Sequence, residues 1–194
     1  VFALRDLLPN AVQLPYNICA SQRVQAAQVG DILAFLGHAP ARLTIDHVSM
    51  PPDLPHDKRF IAFVTYCKAE AFAEATLLKE IIENRFSCPV FLGNDSSNLD
   101  TCSDVLAESV ALLVVQTRSV LSSATVLLQC YRALGKGLPI VAMYIEGKGY
   151  DFARAESFLS DLSVSLSKPV EEGGNPEALE MLRQHGVDVE EMSW

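Results

Sequence analysis

The chain has 194 residues, of which 49% are hydrophobic, and its mean hydropathy is positive. That is enough for one domain with an appendage, too short for two full domains and too apolar for a disordered segment. A net charge of -9 and a pI near 4.8 oppose binding to nucleic acid or an anionic membrane, and no apolar run approaches the roughly 20 residues that span a bilayer. Proteins and small molecules remain as partners.

The five cysteines, Cys19, Cys67, Cys88, Cys102 and Cys130, form no CxxC pair and no metal-ligand spacing. Reduced, buried thiols and a cytoplasmic location follow as expectations. The chain starts at Val1 without a signal-peptide pattern, and the expectation is a piece of a longer protein.

In chain order, the first zone is 1–57, a helical extension with a Pro-rich linker. Ser21 caps a helix carrying Val29, Ile32, Leu33 and Leu36 on one face, Gly37 ends it, and PPDLP (Pro51 to Pro55) breaks regular structure. The second zone, 58–166, alternates strand-like and helix-like runs. Phe60 to Tyr66, Cys88 to Leu92, Ala111 to Thr117 and Pro139 to Ile145 are short, apolar and rich in β-branched residues, as strands buried on both faces are. Between and after them lie Glu70 to Asn84, about Ser103 to Ser109, Ser123 to Leu134 and Asp151 to Leu162, which read as helices. This alternation predicts an α/β domain, a flavodoxin-like three-layer sandwich with a parallel sheet. The third zone, 167–194, is acidic and holds one helix, with Asn175 as cap, Pro176 at its first position and Gly186 beyond its end.

The four histidines, His38, His47, His56 and His185, all lie outside the α/β zone, so that zone has neither an imidazole base nor an imidazole metal ligand. The GKG triplets at Gly135 and Gly147 complete no phosphate-loop motif, although the second follows a strand, where open α/β sheets place ligands. The same rule assigns a functional rim to Thr65, Tyr66 and Lys68, to the turn-rich stretch Gly93 to Cys102, to Gln116 to Ser122 and to Glu146 to Tyr150. Helical spacing sets Ser122, Thr125, Gln129 and Arg132 on one stripe and Leu127, Tyr131 and Leu134 on another, so Gln129 is expected to face the rim or solvent.

From Arg59 to Leu162 the order of segments resembles the Toll/interleukin-1 receptor (TIR) domain. FVTYCKAEAF stands where that family's first strand ends, and VFLGNDSSNLDTC stands at its BB loop, with Leu99 present and Cys102 in place of a glycine. ALLVVQTRSVLSSATVLLQC supplies Ser119 and Ser122, then Thr125 at the family tryptophan and Gln129 at the family glutamate; GLPIVAMYI follows as the next strand. TIR domains either associate with one another or cleave NAD+ with that glutamate.

The resemblance implies Gln129 at the catalytic position, and Thr65, Tyr66, Lys68, Gly93, Asn94, Asp95, Leu99, Ser119, Ser122 and Thr125 around a nucleotide, with NAD+ as substrate or ligand and no metal. Glycosidic cleavage builds a cation-like transition state that a carboxylate stabilises and an amide does not. No Asp or Glu occurs between Ser109 and Ile145, so shifting the alignment restores none. The expected function is signalling or scaffolding through TIR-TIR association. Its rivals are an NAD+ nucleosidase with a displaced carboxylate, Glu146 or Asp95, and a nucleotide-binding sensor. Replacing Gln129 by Glu is expected to leave the fold intact.

Overall fold

A computed structural model of the chain describes residues 14–16, 54–93 and 99–192. Four apolar runs form parallel strands: β2 (Ala62–Thr65), β3 (Val90–Leu92), β4 (Leu112–Gln116) and β5 (Ile140–Ile145). Every residue of β2 and β4 is buried, which is why neither run alternates polar with apolar side chains. A fifth strand, β1 (Leu14–Tyr16), pairs in parallel with β5, Leu14 beside Met143 and Tyr16 beside Ile145. The sheet order is therefore β3-β2-β4-β5-β1. β1 lies within the zone expected to be helical; the helix expected from Ser21 and most of the Pro-rich linker fall outside the described residues.

An α-helix follows each of the strands β2 to β5, as strand-helix alternation requires: α1 (Lys68–Phe86), α2 (Leu99–Ala107), α3 (Ala124–Gly135) and α4 (Phe152–Ser160). Among the described residues, α1 covers one sheet face. Its Ala75, Leu78, Ile82 and Phe86 recur at helical spacing and pack with Val64, Leu113, Val115 and Met143. α2 and α3 cover the other face, where Leu106, Val126, Cys130 and Ala133 meet Phe63, Leu112 and Val114.

A further helical layer lies outside α3: α5 (Leu162–Ser167), α6 (Pro176–Gln184) and α7 (Val189–Met192). Leu127 and Leu128 of α3 pack against Leu162, Leu166, Leu179, Leu182 and Met192 of this layer. The acidic C-terminal zone thus packs on the α/β body. Its helix begins as expected, with the Asn175 side chain accepting from the Ala178 N–H and Pro176 in the first turn; Gly186, at φ 71°, follows its end. Asn175 also donates through Nδ2 to the Ser122 carbonyl, which pins the layer to the start of α3.

The α2 boundary differs from expectation. Leu99 to Cys102, read as the end of an exposed loop, is the first part of α2, and Cys102 is buried. Cys102 and Leu106 lie on one face of α2, and the Cys102 thiol packs in the core beneath the ends of β2 and β3.

Candidate functional site

The carboxyl ends of β2, β3, β4 and β5 converge on one edge of the body, with the topological switch between the adjacent strands β2 and β4. Gln129 lies under this rim and is only 2% exposed. Its Oε1 accepts from Thr65 Oγ1 at 2.5 Å, and its Nε2 donates to the Gly93 carbonyl at 3.2 Å. Both polar ends of the amide are engaged, one at the end of β2 and one at the end of β3. The same carbonyl also receives the Cys102 thiol at 3.5 Å.

Gln129 therefore faces the sheet and not solvent, contrary to the stripe drawn from sequence. The face that touches the sheet carries Val126, Cys130 and Ala133, and Gln129 sits within that i, i+3, i+4, i+7 pattern. Since α3 is covered on two sides, the hydrophobic stripe of Leu127 and its neighbours marked the outer layer, and a second apolar stripe was the available signal.

Backbone packing closes the junction. A Cβ added to Gly93 would overlap Phe63 Cε1 and approach Gln129 Nε2 to 2.9 Å. Thr65 is fully buried, and Thr65 and Gly93 are each bonded directly to the Gln129 amide.

The other expected site residues are dispersed. Tyr66, fully buried, points to the α1 face because successive strand residues alternate, whereas Thr65 points to α3; Lys68 is exposed at the start of α1. Ser119 and Ser122 occupy a short 3-10 turn before α3, with Ser122 Oγ donating to the Ser119 carbonyl at 3.0 Å. Thr125 is half-buried in the first turn of α3. Asn94 and Asp95 lie outside the described residues, as does the side chain of Leu99. Of the expected set, Thr65, Gly93 and Gln129 come together.

Sequence reasoning missed a second cluster at the switch point. Glu70, in the first turn of α1, accepts from the Ser119 N–H at 3.0 Å through Oε2. Burial pushes the Glu70 carboxyl up, but the Thr117 hydroxyl, the Ser119 backbone and hydroxyl, and the Arg118 charge together hold it below its ordinary value. Thr117 Oγ1 points towards this carboxylate without reaching hydrogen-bond geometry, and it and Gln116 Oε1 are buried with no hydrogen-bond partner among the described residues.

Lys148, from the second GKG triplet, donates to the Glu70 carbonyl at 2.8 Å and pairs with Glu74 at 2.5 Å. Its own carbonyl accepts from the Arg118 N–H at 3.1 Å. The loops after β2, β4 and β5 are in this way bonded to one another. An acidic residue two positions beyond the rim residue Lys68, in the first turn of a helix, was the signal in the sequence. The GKG lysine serves this cross-link and not a phosphate loop.

The thiols near the rim are poor nucleophiles. Burial raises Cys67, and the Glu70 charge raises it further; burial alone pushes Cys130 up to about 12. Burial also lifts the Tyr150 hydroxyl to about 12 despite the opposing effect of Gln116. No group of three or more metal-ligating side chains occurs among the described residues, and no helix among them is long and apolar enough to cross a membrane.

Beside the cluster, the loops after β4 and β5 and the turn at Gly173 border a small, shallow cleft open to solvent. Arg118, Ser122, Tyr150 and Arg154 line it. Comparison of the chain with protein-family models, curated proteins and solved structures gives no match.

Proposed function

We propose that residues 58–166 form a TIR-like domain that acts as a signalling or scaffold module through association with other TIR domains or with itself, without efficient NAD+ cleavage. The observation carrying this reading is the state of Gln129: at the position of the family glutamate stands an amide that is buried and bonded at both ends. A cation-like glycosidic transition state gains nothing from it, because its oxygen is already used by Thr65 and it bears no charge.

The described carboxylates at the rim do not replace it. Glu70 is committed to Ser119, and Glu146 is exposed in the turn after β5. The parallel sheet and the helices on both of its faces agree with the layout of a flavodoxin-like domain. A cytoplasmic location belongs to the same proposal.

The test pairs two measurements on the full chain. Light scattering over a concentration series should show self-association, and incubation with NAD+ at the highest of those concentrations should release no nicotinamide above the buffer rate. Steady turnover abolished by Glu146→Gln or Asp95→Asn would overturn the proposal in favour of a nucleosidase. A monomer at every concentration that binds NAD+ in calorimetry without turnover would overturn it in favour of a sensor.

A further inference from the structure

The cleft beside the rim has a composition unlike the rest of this acidic chain. Arg118, in the loop after β4, and Arg154, in the first turn of α4, both line it, and the described residues give neither guanidinium a hydrogen bond or ion pair. In a chain of net charge -9, two cations share one concave surface, Arg118 also lying within the field of the Glu70 carboxylate.

Arg154 is positioned by its surroundings. Gly173, at φ 87°, has no Cβ, and a Cβ there would overlap the Arg154 guanidinium, so the side chain lies directly on this turn. The apolar wall comes from Leu121, Ala155 and Phe158. The nearest opposing carboxylate within the lining is Asp151, whose Oδ1 accepts the Arg154 N–H at 3.1 Å and so caps α4. Two guanidiniums against one carboxylate leave the lining positive.

We infer that this cleft binds the phosphate of a small organic phosphomonoester, with Arg118 and Arg154 on the phosphate oxygens and the organic body against Leu121 and Phe158. Two guanidiniums approaching from different elements are better matched by a phosphate, with three terminal oxygens and up to two negative charges, than by a carboxylate with two oxygens and one charge. Ser122 also lines the cleft, its hydroxyl hydrogen donated to the Ser119 carbonyl and its oxygen left as an acceptor only. The site is separate from the closed Thr65–Gln129–Gly93 junction and does not rest on the TIR-like reading.

The test is calorimetric titration of the full chain with phenyl phosphate, inorganic phosphate and benzyl alcohol as separate probes. Phenyl phosphate should bind with a dissociation constant of about 1 mM or below, inorganic phosphate at least about fivefold more weakly, and benzyl alcohol should give no heat. Arg118→Gln and Arg154→Gln should each weaken phenyl phosphate about tenfold and together abolish binding, with urea midpoints unchanged because both side chains are exposed. No binding of phenyl phosphate at about 10 mM, or parent-like affinity in the double variant, would overturn the site. Equal affinity for phenyl phosphate and inorganic phosphate would overturn the part assigned to the apolar wall.

Discussion

Gln129→Glu exchanges one atom group and probes the junction at the end of β2 and β3. In the parent, the amide presents an acceptor to Thr65 Oγ1 and a donor to the Gly93 carbonyl, at a position 2% exposed to solvent. A neutral carboxylic acid reproduces both bonds, its hydroxyl donating to Gly93. An ionised one sets an anionic oxygen against that carbonyl in a buried site.

Burial therefore raises the introduced carboxyl, and a rise from about 4.3 to about 7 corresponds to about 3.5 kcal/mol. The sign follows from proton linkage. The folded state binds the proton more tightly, so the penalty is absent below about pH 4, grows between about pH 4 and 7 and is constant above that. A loss of about 3.5 kcal/mol is a large share of the 5 to 15 kcal/mol typical of a domain of about this size. Urea unfolding followed by circular dichroism at about pH 4, 6 and 8 measures it. A variant as stable as the parent at pH 8, or destabilised equally at all three values, would refute the buried, doubly bonded amide. The burial adds a pH-dependent cost to a substitution that the sequence alone suggested the fold would tolerate.

Gly93→Ala drives a methyl into Phe63 and towards Gln129 Nε2; the expected loss is about 3 kcal/mol in urea unfolding, and a loss below about 0.5 would contradict the close approach. Asn175→Ala removes both the cap of α6 and the bond to the Ser122 carbonyl. It should cost about 2 kcal/mol, whereas Asn175→Asp, which keeps the cap alone, should recover about half of that by thermal unfolding. Glu70 is held below its ordinary value, so its contribution is present above the usual carboxylate range and is lost as pH falls through its lowered value. Glu70→Ala should accordingly destabilise by about 1 kcal/mol at pH 7 and by nothing measurable near pH 3, with solvent screening limiting the size; equal losses at both would remove charge from the explanation.

The strands were legible because each is an uninterrupted apolar run, and the C-terminal helix because Asn175, Pro176 and Gly186 carry its start and stop locally. β1 was not: Leu14–Tyr16 is three residues long, and its pairing with β5 spans well over a hundred positions of sequence. The start of α2 was hidden because Gly93 to Asp100 reads as turn chemistry, while the shared face of Cys102 and Leu106 is revealed only by their packing on the sheet. Glu70 looked like an ordinary first-turn acid; its partner Ser119 is 49 residues away.

Residue order alone determined that this is an alternating α/β chain, since buried parallel strands need apolar runs and their crossovers need helices, and both leave local marks. It also determined that no carboxylate stands on α3, because none occurs in that stretch. Which way Gln129 faces was decided by tertiary structure. α3 is covered by the sheet on one side and by α5, α6 and α7 on the other, so two apolar stripes compete for the core, and the choice between them depends on packing partners distant in sequence. The same packing turned an amide that sequence placed at the rim into a cross-link between Thr65 and Gly93.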